Sequence, residues 1–203
     1  MYQNIKHLIF VRHGESEHYV KGLTGGWTDT PLTPRGRAQI TITATRLLEW
    51  KLQKVAFYCS DLIRAVQSAD IIGSTIGCVP TPLAGLREIS NGVAANLSLR
   101  EAEQIQSYEP ELADLDWRPY DKAETWREMS ARVDRALAIF DKRADTVLVV
   151  GHGNSGQALA NAWLGIPVAN QISFRFATAS ISEFRINRWG EQEIVHSNIS
   201  YDA

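Results

Sequence analysis

Three almost unbroken apolar runs set the frame of the chain: Lys6–Arg12, Val55–Cys59 and Thr146–Val150. Runs of this length without polar alternation read as strands buried on both faces, as in a parallel sheet covered by helices. A shorter strand is predicted at Thr81–Ala84. Between the strands, apolar residues recur at helical spacing. Pro34–Trp50 is predicted helical, with Thr33 as N-cap, proline in the first turn, and Ala38, Ile42, Thr45 and Leu48 lining its inner face. Ser60-Asp61 is expected to cap a helix over Leu62–Ile76, with Ala65, Ala69, Ile72 and Ile76 on one side and Gly77 ending it. Thr125–Lys142 places Met129, Val133, Leu137 and Phe140 on one stripe, and a further helix runs from Gly153 to about Leu164. Strands alternating with helices predict an α/β fold around a mostly parallel sheet. Ser180–Ile186 and Glu191–His196, around Arg188-Trp189-Gly190, predict a β-hairpin that adds an antiparallel edge.

Two stretches break this rhythm. Residues 13–33 are rich in Gly, Thr and Asp and read as a functional loop. Residues 86–125 show weak periodicity, apart from a helix predicted at Ser98–Ser107 with Leu99, Ala102 and Ile105 on one face. The acidic run from Glu109 to Asp116 reads as a solvated face. The length of this excursion predicts a lid or cap on a single domain spanning residues 1–203.

Composition narrows the class. A chain of 203 residues can bury one sizeable core. A net charge of -2 gives no bulk attraction to nucleic acid or to an anionic membrane surface. Two cysteines, Cys59 and Cys78, make no disulfide framework and read as reduced thiols; with no signal-like N-terminal segment, the expected location is cytoplasmic. No apolar stretch reaches the length of a membrane span. A homodimer is compatible with all of this.

The candidate chemistry sits at strand ends. The first strand stops at Arg12-His13-Gly14, and the clearest buried strand stops at Gly151-His152-Gly153. In open α/β sheets, ligands bind beyond the C-terminal ends of the strands. If these two strands are parallel neighbours, the imidazoles face each other, with Arg64 in the first turn of the helix after the second strand. Two arginines and two histidines suit a tetrahedral dianion, because the planar guanidinium fork matches phosphate oxygens. Helix starts after His13-Gly14 and Gly153-Asn154 are expected to add backbone N–H donors. A neutral imidazole can attack phosphorus while the other groups stabilise the oxygens. A leaving alkoxide needs a proton, for which Glu88 is the best carboxylic acid candidate.

Plainer readings compete. Gly151-His152-Gly153-Asn154-Ser155-Gly156 matches a dinucleotide-binding pattern, but the acid expected about 20 residues on is missing. A metal held by His13, His18 and Asp61 fits no common ligand spacing, and the arginines would repel it. No metal or cofactor is therefore expected. His7 and His196 read as ordinary strand or surface histidines, and Cys59 as core. Trp50, Trp163 and Trp189 read as packing residues. Trp117, Tyr120 and Trp126 suit a substrate pocket and surface packing equally.

These residues fall into blocks. Leu8-Ile9-Phe10-Val11-Arg12-His13-Gly14-Glu15-Ser16 resembles the signature of the histidine phosphatase superfamily, branch 1 (phosphoglycerate mutase-like). The resemblance continues through Gly26-Trp27-Thr28-Asp29-Thr30-Pro31-Leu32-Thr33-Pro34, Ser60-Asp61-Leu62-Ile63-Arg64-Ala65, Leu86-Arg87-Glu88 and Val149-Val150-Gly151-His152-Gly153. It implies a three-layer α/β/α sandwich and metal-independent phosphoryl transfer. It implies His13 as the nucleophile that becomes phosphorylated, Arg12, Arg64 and His152 as ligands of the phosphoryl oxygens, and Glu88 as proton donor. It also puts Thr24, Gly25 and Gly153 beside substrate or phosphate.

The chain departs from that pattern in places. Tyr19 stands where many members carry Asn, leaving His18 or Tyr19 to replace an amide donor. Asn96 stands where many carry Gly, and Ala123-Glu124-Thr125 replaces a common Gly-Glu-Ser. A mutase binding a bisphosphate needs extra basic residues in the excursion. Here Arg87, Arg100, Arg118 and Lys122 are outnumbered by acids. The expected activity is a phosphomonoesterase acting on a small phosphate ester. The alternatives are a phosphoglycerate mutase-type transfer and a non-catalytic phosphate-binding module.

Overall fold

The protein is described here by a computed structural model covering residues 5–108, 110–111 and 114–201. Strands β1 (His7–Arg12), β2 (Val55–Cys59), β3 (Thr81–Pro82), β4 (Thr146–Gly151), β5 (Ile181–Ile186) and β6 (Gln192–Ile199) form one sheet in the order β3-β2-β4-β1-β5-β6. β1, β2, β3 and β4 are parallel, and β5 and β6 form the antiparallel edge. The expected hairpin and α/β class are both present.

The alternation of side chains along β1 and β4 builds two cores. Leu8, Phe10, Val147 and Val149 face helices α5 (Trp126–Ile139) and α6 (Gly153–Trp163). Ile9, Val11, Leu148 and Val150 face helices α2 (Pro34–Glu49) and α3 (Ile63–Ile76). Helices cover both faces, giving the three-layer sandwich. Most of these strand side chains are fully buried, and each contributes about 1.5–3 kcal/mol of hydrophobic stabilisation. Short helices α1 (Glu17–Val20) and α4 (Leu99–Ile105) lie in the loop and in the excursion.

Several local expectations change. The buried stripe of α2 is Gly36, Ile40, Thr43, Ala44 and Leu47; Ala38, Thr45 and Leu48 are exposed and Ile42 is half-buried. The inner threonine donates its hydroxyl to the Ala179 carbonyl at 2.7 Å. A hydroxyl satisfied in this way can be buried beside Ile40, Ala44 and Leu47. Ser60-Asp61 does not cap α3. Its N-cap is Leu62, and the Ile63 N–H donates instead to Asp29 Oδ1 at 2.7 Å, from the 13–33 loop. Asp61 is held bidentately by Arg87. Gly77 ends the helix in the left-handed region, φ 72°. On α4 only Ala102 is buried, while Leu99 and Ile105 are exposed; a Ser98–Glu101 capping box fixes this helix instead of an apolar face. The helix predicted to reach Lys142 stops at Ile139, and its Thr125–Glu128 capping box explains its start.

The excursion is tied to the 13–33 loop. Thr24 N–H donates to Leu97 O, Leu99 N–H to Gly22 O, and Asn96 N–H to Thr28 Oγ1. Asn96 has φ 66°, so it occupies a left-handed position that asparagine tolerates almost as glycine does. Of the acidic run, Glu109, Leu112 and Ala113 lie outside the described residues, and Asp116 pairs with Arg127.

Trp163 is buried, whereas Trp189 is 70% exposed at the hairpin tip and is not a packing residue. Trp117 donates its indole N–H to Ser107 and Trp126 to Gln171. His7 and His196 are strand histidines, in β1 and β6, and both bond the buried carboxylate of Glu183, at 3.0 and 2.8 Å. Among the described residues, no helix is long and apolar enough to cross a membrane.

Candidate active site

The site begins with sheet register. β1 pairs with β4 so that Arg12 stands opposite Gly151. The next residue on each strand is a histidine. Their rings meet edge to face, with centroids 5.0 Å apart. Both are buried. The turn after His13 needs glycine for contact, not for φ: a Cβ on Gly14 would lie 2.4 Å from Gly36 O, and one on Gly36 would lie 2.0 Å from Glu15 O. The start of α2 therefore presses directly on the His13 turn.

Hydrogen bonds select the form of His13. Its Nδ1–H donates to the Gly14 carbonyl at 2.7 Å, so Nε2 carries the lone pair. Arg64 Nε–H donates to that Nε2 at 3.3 Å. Burial, then Arg64 and Arg12, push His13 well below the ordinary imidazole range, so it is neutral near pH 7. A neutral ring with its lone pair facing an anion pocket is a competent nucleophile.

Arg64 is buried at the start of α3. Its Nη1 and Nη2 donate to the carbonyls of Thr28 and Gly26, each at 2.7 Å. The 26–28 turn thus aims the guanidinium. Burial lowers its pKa to about 10, which leaves it cationic at neutral pH. Arg12 donates from Nη1 to the Phe176 carbonyl. Its Nε is buried without a partner, as are both ring nitrogens of His152. His152 is likewise held well below its usual range by burial, Arg64, His13 and Arg12. Unpaired buried donors and acceptors are costly. The unpaired His152 ring lies beside that of His13, 5.0 Å between centroids.

Glu88 follows a 3-10 turn over Ala84–Leu86. Its Oε2 accepts from Asn154 N–H, and its Oε1 from Ser155 N–H and Ile89 N–H, all near 3.0 Å. This corrects one expectation: the first-turn donors of α6 at Asn154 and Ser155 hold Glu88, not phosphate. The carboxylate lies beside Arg12, and a Cβ on Gly153 would touch both, at 3.7 and 3.8 Å. Gly153 therefore sits between acid and anion pocket. Thr24 has a structural partner. It is buried, and its hydroxyl donates to Ala94 O at 2.6 Å, so it fixes the loop. Gly25 packs on the edge of His18, whose Nε2 would be 3.4 Å from a Cβ there.

Tyr19 is 68% exposed, whereas His18 is buried. His18 bonds Ser16 and Thr30 through Nδ1. Arg132 and Trp27 were not singled out by sequence reasoning. Arg132 bonds the carbonyls of Gly85, Arg87 and Glu88 and both oxygens of Glu124. Trp27 Nε1–H donates to Glu88 O at 2.7 Å, with the Arg87 guanidinium 4.8 Å from its ring centroid. Trp27, Arg87, Glu88 and Glu124 lie in recognisable blocks of the sequence, whereas nothing local marks Arg132.

Comparison with known proteins agrees with this geometry. The family model described as histidine phosphatase superfamily (branch 1) matches residues 8–200. The chain is 30% identical over 180 residues to a probable phosphoglycerate mutase, GpmB, of Escherichia coli O1:K1 / APEC, covering 86% of this chain and 82% of that protein. It is 30% identical over 177 residues to an acid phosphatase of Mycobacterium tuberculosis (strain ATCC 25618 / H37Rv), covering 86% and 83%. Its fold superposes on a mycobacterial glucosyl-3-phosphoglycerate phosphatase in complex with VO3, with TM-score 0.79, 26% identity, and coverage of 96% of this chain and 100% of that one.

Proposed function

The chain belongs to the histidine phosphatase superfamily, branch 1, and from that premise we propose that it is a metal-independent phosphomonoesterase acting on a small phosphorylated metabolite. The observation that carries the reading is the state of His13. Its Nδ1–H is fixed on Gly14 O, and its neutral Nε2 lone pair faces Arg64 and His152.

The steps follow from these positions. His13 Nε2 attacks phosphorus as the P–O bond to the alcohol breaks. Arg12, Arg64 and His152 stabilise the charge on the phosphoryl oxygens. The carboxylic acid of Glu88 gives its proton to the leaving alkoxide. Water then attacks the phosphohistidine, Glu88 takes up its proton, and inorganic phosphate leaves with His13 restored.

Charge pairing supports hydrolysis over bisphosphate-dependent transfer. Arg87, Arg118, Arg127 and Arg132 are each neutralised by a carboxylate, Asp61, Glu128, Asp116 and Glu124. The two least exposed, Arg87 and Arg132, are committed to Asp61 and Glu124. The likeness to a probable mutase keeps mutase activity as the competing outcome of the test.

The test is release of inorganic phosphate from phenyl phosphate in excess chelator, with rapid alkaline quench to trap labelled phosphohistidine. Turnover with label on His13, lost in His13→Ala, is the expected result. Absence of turnover, dependence on added metal, or label persisting in His13→Ala refutes it. A mutase would show phosphate exchange between phosphoglycerates exceeding hydrolysis.

A further inference from the structure

We propose that Trp27 is a positioning residue for the proposed acid: its indole N–H fixes the Glu88 peptide, so that one turn sets Glu88 and Arg64 in a single relation. The inference deepens the phosphatase reading and rests on it.

The turn touches both halves of the site. Its two outer carbonyls, Gly26 O and Thr28 O, accept from Arg64 Nη2 and Nη1, each at 2.7 Å. Arg64 in turn donates to His13 Nε2. Trp27, the residue between those carbonyls, donates its indole N–H to Glu88 O at 2.7 Å. Close packing repeats the link. Gly26 has φ 60°, and a Cβ there would lie 2.7 Å from Ile89 O. Thr28 is buried, and its Oγ1 accepts the Asn96 N–H at 2.9 Å. The next residue, Asp29, accepts the Ile63 N–H at the start of α3, one position before Arg64.

The bond from Trp27 reaches the carboxylate through one peptide plane. Glu88 O and the Ile89 N–H belong to the same planar unit, so orienting the carbonyl orients the N–H. That N–H donates to Glu88 Oε1 at 2.9 Å. A donor on the carbonyl also polarises the unit and strengthens the bond made by its N–H. Arg132 Nη2 reaches the same carbonyl at 3.1 Å. The indole is itself held in place, with the Arg87 and Arg132 guanidinium carbons 4.8 and 5.9 Å from its ring centroid. Its ring is 37% exposed, so replacing it leaves the hydrophobic core intact.

Two replacements isolate the N–H. Trp27→Phe removes it together with part of the ring. Replacing the indole by benzothiophene removes it while keeping a bicyclic ring against Arg87. Both are made in the parent and in Glu88→Gln, and kcat/KM is measured with phenyl phosphate and with 4-nitrophenyl phosphate. Affinity for inorganic phosphate is measured by calorimetry. With phenyl phosphate, both replacements should lose about 5- to 10-fold, the worth of one neutral hydrogen bond. With 4-nitrophenyl phosphate, whose leaving group departs without a proton, the loss should stay under about 2-fold. In Glu88→Gln there is no acid left to position, and the further loss should also stay under about 2-fold. Phosphate affinity should stay within about 2-fold of the parent, because the carbonyls that hold Arg64 remain. A merely structural tryptophan would depress every background and both substrates alike.

An equal loss in Glu88→Gln, parent activity in the benzothiophene protein, or phosphate affinity falling in step with kcat/KM overturns the proposal. If the parent hydrolyses phenyl phosphate and the benzothiophene protein matches it, only the role of Trp27 falls. If the parent gives no turnover, the phosphatase reading falls, and with it a role defined by its acid.

Discussion

Replacing Arg132 by methionine tests how the proposed acid is held. The guanidinium makes five hydrogen bonds: Nη1 to Gly85 O and Arg87 O at 3.0 Å, Nη2 to Glu88 O at 3.1 Å and to Glu124 Oε2 at 2.7 Å, and Nε to Glu124 Oε1 at 2.8 Å. Both partners of the ion pair are mostly buried, at 15% and 18% exposure. Breaking a fully buried pair costs about 3–5 kcal/mol. Glu124 keeps its bond from Ser90 N–H and some access to water. The expected loss is therefore about 2–3 kcal/mol, read as a lower urea midpoint.

The catalytic consequence is more specific. Glu88 keeps Trp27 on its carbonyl and three backbone N–H groups on its carboxylate. Its segment nevertheless loses the anchor that fixes three carbonyls to α5. General acid catalysis supplies about 10²–10⁴-fold in rate, and a displaced acid forfeits part of it. The loss falls on poor leaving groups, which need the proton. Across a series of substituted phenyl phosphates, Arg132→Met should lose about 10-fold or more in kcat/KM for the least acidic phenols and under about 3-fold for 4-nitrophenyl phosphate. Glu88→Gln sets the limiting slope. A urea midpoint equal to the parent's refutes the packing argument. A uniform loss across the series refutes the link to the acid.

Other perturbations have equally definite outcomes. His13, His18 and His152 all have folded-state pKa values below that of a free imidazole. The unfolded chain binds more protons, so stability is lost as pH falls below about 6.5, by up to about 1.4 kcal/mol per unit for each histidine; for His18 the window ends at about 4. Urea midpoints between pH 7 and 5 should fall, less steeply in His18→Leu, and a flat profile contradicts this. Gly36→Ala drives a Cβ into the Glu15 carbonyl and should destabilise by roughly 3 kcal/mol, while a parent-like urea midpoint would show that the α2 contact yields easily. Burial pushes the Cys59 thiol up to about 12, so iodoacetamide should leave it unlabelled in the native protein at pH 8 without loss of activity; fast labelling there would contradict its burial.

Much of the fold was legible in local pattern. Unbroken apolar runs marked β1, β2 and β4 because a strand covered on both faces has no polar positions to reveal. The Arg12-His13 and Gly151-His152 endings pointed to one place because β1 and β4 pair in parallel and bring the two strand ends together. The inner face of α2 was misread because Thr43 is buried by a bond to Ala179, a partner far away in the chain. The start of α3 was misread for the same reason, since Asp29 supplies its cap from another loop.

The sequence by itself determined the strand–helix alternation and the identity of the charged groups at the strand ends, because these depend on periodicities of two and 3.6 residues and on neighbours in the chain. Only the tertiary structure decided which donors hold Glu88 and what aims Arg64. Those choices rest on directional hydrogen bonds between the 13–33 loop, the 86–125 excursion and α5. No local pattern records such bonds, because each partner looks like an ordinary polar loop residue until the fold brings the two together.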